Sequence, residues 1–97
     1  MAFVQVIEFK ANDIDALRKA GDDWEQATEG KRTARRRLLG RDHANPDKYY
    51  MMAFFDSYES AMANSELPET QASAKVFAEL ADSPPTFRDI DIVDDRS

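Results

Sequence analysis

Tyr49-Tyr50-Met51-Met52-Ala53-Phe54-Phe55 runs directly into Asp56-Ser57-Tyr58-Glu59. The first seven residues are aromatic or apolar at both odd and even positions. A strand reads this way when both of its faces are covered. Asp56, with Glu59 three residues later, then offers a capping box for a helix. Tyr58, Ala61, Met62 and Ser65 make one helical stripe, and Pro68 interrupts it. A proline is tolerated in the first turn of a fresh helix, where its missing N–H is no loss. That second piece carries Val76, Phe77 and Leu80 on one face and ends before Pro84-Pro85.

Working outward, Phe3-Val4-Gln5-Val6-Ile7-Glu8-Phe9 repeats the two-sided apolar pattern and reads as a first strand. Asn12-Asp13 supplies capping side chains. Ile14, Leu17, Gly21, Trp24 and Thr28 follow at helical spacing, which predicts about four turns of amphipathic helix with Gly30 as its stop. Arg32 to Leu39 fits strand or helix by periodicity alone. Its place between a glycine stop and the turn Asp42-His43-Ala44-Asn45-Pro46-Asp47 favours strand. Phe87 to Val93 alternates strictly and reads as the last strand.

The expected order is strand, helix, strand, strand, helix, strand, in one domain spanning residues 1–97. This is the split βαβ pattern of ferredoxin-like α+β folds. Right-handed crossovers give a four-stranded antiparallel sheet in the order 4-1-3-2, with both helices on one face. The first and third strands would then expose apolar side chains on the other face. A second copy packing sheet against sheet, about a two-fold axis, resolves this. The alternative is an imperfect sheet with scattered exposed apolar residues.

Composition narrows the chemistry. The chain has no cysteine, which removes disulfides, thiolate nucleophiles and thiolate metal sites. It carries no basic and apolar leader and no apolar run near the roughly 18 residues that span a bilayer. The expectation is therefore a cytoplasmic protein with no membrane partner. A net charge of −6 argues against a general nucleic-acid binder. Lone His43, in a turn with scattered carboxylates elsewhere, gives no metal-ligand spacing. His43 reads as an exposed turn residue rather than a general base. Glu8 with Asp89 or Asp91 is a candidate acid–base pair, although pairing with arginine is the stronger reading.

The same residues resemble a known family. The strand from Tyr49 to Phe55, the run Asp56 to Met62, the broken helix around Asn64 to Thr70, and Pro84-Pro85-Thr86-Phe87 are similar to the dimeric α/β-barrel superfamily of the antibiotic-biosynthesis-monooxygenase type. The Ser-Tyr-Glu, Ala-Met, Asn-Ser and Pro-Glu-Thr pieces also resemble a group of short actinobacterial proteins of unassigned function. The resemblance covers nearly the whole chain and implies a homodimer with a small-molecule pocket between helices and sheet. It does not imply one activity, because the superfamily hosts cofactor-free oxygenases, haem-degrading enzymes, cyclases, isomerases and sensors. Haem-degrading relatives use an amide on the first strand and an axial histidine. Gln5 falls near the amide position, but Gln71 falls where the histidine would be, so no cofactor is expected.

The expected pocket is lined by Gln5, Trp24, Tyr50, Met52, Tyr58 and Met62, with a small hydrophobic or aromatic ligand. In a cofactor-independent monooxygenase or isomerase, these residues would hold the substrate. No catalytic residue is assigned. The alternatives are a non-catalytic binding or stress-response module, and a structural dimer whose aromatic and methionine side chains fill the core. Arg35 and Arg37 on the second strand, and Asp89 and Asp91 on the fourth, are expected to meet across the dimer interface. An anion-binding patch from Lys31 to Arg41 is the functional alternative. Without interleaved aromatics, that run is a poor platform for RNA.

Overall fold

The computed structural model describes residues 1–96. Its elements are β1 (Phe3–Lys10), α1 (Ile14–Ala27), β2 (Arg36–Arg41), β3 (Lys48–Phe55), α2 (Tyr58–Glu66), α3 (Pro68–Leu80) and β4 (Thr86–Asp91). The strands form one sheet in the order β2-β3-β1-β4, and every neighbouring pair is antiparallel. This is the ferredoxin-like order expected from the sequence, with the second helical region broken in two at Pro68 as the proline requires.

Strand alternation divides the sheet into two surfaces. Gln5 lies opposite Ala53 and Asp89, while Val6 lies opposite Met52 and Arg88. Odd-numbered residues of β1 and β3 meet the helices. Phe9 and Tyr49 pack with Leu17 and Ala11, and Phe77 and Leu80 close over them. Phe3 and Phe55 pack with Ala61, next to Met62. Burying each phenylalanine stabilises the fold by roughly 1.5–3 kcal/mol. The even-numbered set (Val4, Val6, Met52, Phe54, Leu38 and Ile90) lies on the surface that no helix covers.

Local chemistry places the helix ends. Asp13 accepts from the Ala16 N–H at 3.1 Å and caps α1. The carbonyl of Thr28 accepts from both Lys31 and Arg32, and Gly30 adopts φ +79°, so the chain turns sharply after the helix. That turn shortens β2, which starts at Arg36 rather than near Arg32. Thr33 is held instead by α2, where its N–H donates to Asn64 Oδ1 at 3.3 Å. The cap of α2 also differs from expectation. Extended Ser57, not Asp56, accepts from the Ser60 N–H at 3.1 Å, and Asp56 turns to Arg35.

Candidate functional site

The small residues on two facing helices define the candidate site. Ala20 and Ala27 are seven residues apart on α1, and Ala72 and Val76 are four apart on α3, so each pair occupies one side of its helix. Where these sides face one another the helices leave a groove of about 320 Å³. Trp24, Asp23, Ser73 and Glu69 complete its walls. Four small apolar side chains, one indole and a few polar groups are the usual make-up of a small-molecule site.

Trp24 is fixed from several directions. Its indole Nε1 donates to Thr70 Oγ1 at 2.9 Å, tying α1 to α3. Its carbonyl accepts from the hydroxyl of Thr28 at 2.7 Å, and Thr28 is wholly buried. Arg37 and Arg32 lie over the ring, with guanidinium carbons 5.4 and 5.9 Å from its centroid. Both arginines are anchored on Glu25. Arg37 pairs with its carboxylate at 3.4 Å, and Arg32 donates to its carbonyl at 2.8 Å.

Glu69 stands in the first turn of α3, a favourable place for a carboxylate. Lys31 Nζ lies 3.6 Å from Oε1. Oε2 is shielded from solvent and receives no hydrogen bond. Asp23 is more open and accepts from Lys19 at 3.3 Å.

A second, smaller cleft of about 130 Å³ separates α1 from the sheet. Leu17, Gly21, Leu39, Met51 and the Arg37 side chain line it. It lies between helix and sheet, but none of the six residues expected to line a pocket there borders it, and the larger space opens between the two helices.

Of the six residues expected to line one pocket, Trp24 alone borders the groove. Gln5 is on the helix side of β1 and donates to Asp89 Oδ1 at 3.5 Å. Met62 packs against the Phe3, Phe55 and Ala61 cluster. Tyr58 rests edge-on against Phe3, at 5.6 Å between ring centroids, and is half exposed. Tyr50 and Met52 pair with Glu8 and Val6, which places them on the uncovered surface. A single pocket therefore cannot hold all six. The Tyr50 hydroxyl donates to Asp42 at 3.1 Å. Asp42 also accepts from the Asn45 and Ala44 amides, and these bonds hold its carboxyl below the usual range. His43 is an exposed residue of the same turn.

Two of the four edge charges, Arg35 and Arg37, pair with carboxylates within the chain, Asp56 and Glu25. Arg35 grips Asp56 through Nε and Nη2, with Nη2 at 2.6 Å from Oδ2, and this pairing lowers the Asp56 pKa. Asp89 and Asp91 lie on exposed β4, across the sheet from β2. Glu8 does not join them as an acid–base pair. It lies on the opposite sheet surface beside Lys48, at 3.5 Å, and raises the lysine pKa. The sequence reading missed Glu69, Ala72, Ser73 and Val76. Their only signal is a small-residue spacing on α3, which becomes meaningful once α1 is opposite.

No helix is long and apolar enough to cross a membrane among the described residues. No family model and no curated protein matches the chain by sequence. Solved structures match it by shape. A candidate antibiotic biosynthesis monooxygenase from Caulobacter crescentus superposes with a TM-score of 0.80 at 12% identity, over 96% of this chain and 91% of that one. Rv0793 from Mycobacterium tuberculosis superposes at 0.78 with 16% identity over 100% of both chains. A further antibiotic biosynthesis monooxygenase gives 0.73 at 13% identity, over 97% of this chain and 100% of the other. At such identities the likeness is one of architecture: the chain has the ferredoxin-like fold found in proteins of the antibiotic-biosynthesis-monooxygenase type.

Proposed function

We propose that the protein is a cytoplasmic homodimer that binds a small hydrophobic or aromatic molecule in the groove between α1 and α3. The groove itself carries this reading. Its volume of about 320 Å³ sits at the lower end of the range for small-molecule sites, and its walls are largely apolar around one anchored tryptophan. Alanines on both walls leave room where larger side chains would have filled the helix interface. The uncovered sheet surface supports the dimer. Leu38 and Ile90 are exposed there, and Val6, Met52 and Phe54 are only partly buried. Absence of cysteine accords with a reducing compartment.

Titration with a small aromatic probe such as 2-phenylethanol, followed through Trp24 fluorescence, tests the site. Saturable quenching that Ala72→Phe abolishes is the expected result. No response to any aromatic probe at millimolar concentration would overturn it. A second reading, oxygenation or isomerisation of the bound molecule without a cofactor, is favoured by the names of the structural neighbours. Product formation from a bound phenol in air supports that reading. Binding without turnover favours a non-catalytic module.

A further inference from the structure

We infer that the smaller cleft, between α1 and the sheet, is a second site and takes a short aliphatic carboxylate. It is separate from the groove and does not depend on it. The observation behind it is Arg37, which forms one wall of the cleft. Its side chain is only 22% exposed, yet its one polar partner is Glu25, 3.4 Å from Nη2. Among the described residues, none accepts a hydrogen bond from Nε or Nη1. Nor are these nitrogens sealed: Glu69 Oε2 is the only side-chain polar atom among the described residues both shut off from solvent and without a partner. A guanidinium carries five N–H donors in a rigid fork, and a carboxylate can take two of them at once.

The fold holds this cation in place before any anion arrives. Gly21 lets the guanidinium lie against α1, because a β-carbon there would stand 2.7 Å from Nη1. The Trp24 ring, with its centroid 5.4 Å from the guanidinium carbon, fixes it further. A charge held in this way loses little freedom on binding. Leu17, Leu39 and Met51 supply apolar surface next to it. Leu39 is 38% exposed, so an aliphatic chain laid on it removes apolar surface from water. The volume of about 130 Å³ suits a few carbons rather than a polycyclic body. Arg18 and Asp22 stand at the rim, one turn apart on the same side of α1, where their charges offset each other in water. The sign of the cleft is thus set by the mostly covered Arg37. An amine would meet like charge there, and an alcohol would engage only part of the fork.

Butyrate, butanol and butylamine share one shape and differ in charge. The Nε–H resonance of Arg37, followed by heteronuclear NMR on the full chain at fixed ionic strength, reports their binding. Butyrate should shift it saturably, with a Kd in the roughly millimolar range expected of so small a ligand. Butanol should bind about tenfold or more weaker, and butylamine should leave the resonance in place. Leu39→Asp puts a carboxylate on the floor at a partly exposed edge position and should abolish the response to butyrate. In Arg37→Gln, the Met51 methyl resonance should show butyrate binding no tighter than butanol. Equal binding of butyrate and butanol to the unaltered protein would overturn the carboxylate assignment. So would a butyrate response that survives Leu39→Asp. Saturation with 2-phenylethanol should leave butyrate binding unchanged. Competition between the two would place butyrate in the groove and overturn the cleft as a site.

Discussion

Gly21 and Arg37 meet where α1 crosses β2: a β-carbon on Gly21 would stand 2.7 Å from Arg37 Nη1. The glycine lets a guanidinium lie against the helix, and from there it reaches the Trp24 ring and Glu25. Arg37 alternates with outward residues of an edge strand, yet its side chain is mostly covered by α1. A residue that reads as an interface charge thus supports the tryptophan of the groove.

Gly21→Ala should displace the arginine at little net cost. Alanine gains about 1 kcal/mol of helix propensity over glycine. Losing the cation over the ring costs about 0.5–1 kcal/mol, so the two nearly cancel. The melting temperature should move by less than about 5 °C. Trp24 is the sole tryptophan, and its emission should shift to the red as the ring becomes wetter. An unchanged spectrum would show that Arg37 is not held by the missing β-carbon.

The bond from Trp24 to Thr70 joins the two helices that wall the groove. A double-mutant cycle of Trp24→Phe and Thr70→Val should give a coupling energy of about 1 kcal/mol, the usual net value of such a bond. Coupling near zero would mean that packing alone holds α1 on α3.

Acid should weaken the fold through two carboxylates. Asp42 is lowered from its ordinary 3.8 by the Asn45 and Ala44 amides, and Asp56 by its hydrogen bonds from Arg35. A depressed carboxyl contributes stability that is present above its unfolded value and lost as pH falls through its folded value. Denaturant midpoints should therefore drop as pH falls below about 4. Asp42→Ala should be less stable than the unaltered chain at pH 7, with the gap closing in acid. A gap that stays constant down to pH 2 would refute this.

The start of α2 separates two capping assignments. Ser57→Ala removes the acceptor for the Ser60 N–H and should cost about 1 kcal/mol. Asp56→Ala should cost less, because its partner is an exposed arginine. The reverse ranking in urea melts would restore Asp56 as the cap.

Sedimentation at micromolar concentration should give twice the 11.0 kDa of one chain. Met52→Lys places a charge at the centre of the uncovered sheet surface and should yield the monomer with its fold intact by circular dichroism. A monomeric unaltered protein would contradict the sheet-to-sheet dimer.

Much of the architecture is legible in one dimension. The two-sided apolar strands from Phe3 and from Tyr49, the caps at Asn12-Asp13 and the break at Pro68 set the element order. Strand order then follows from the handedness of the crossovers. Periodicity of two says that Tyr49 and Tyr50 point opposite ways, but not which one meets the helices when both sides are apolar. The register that pairs Phe9 with Tyr49, under Leu17, decided this and sent Tyr50 and Met52 to the other surface. The groove needed more still. Ala20 and Ala27 lie some fifty residues of chain from Ala72 and Val76, and a gap exists only where two such sides face each other. Local pattern determines what each segment becomes, while tertiary packing decides which small residues meet and so where space is left.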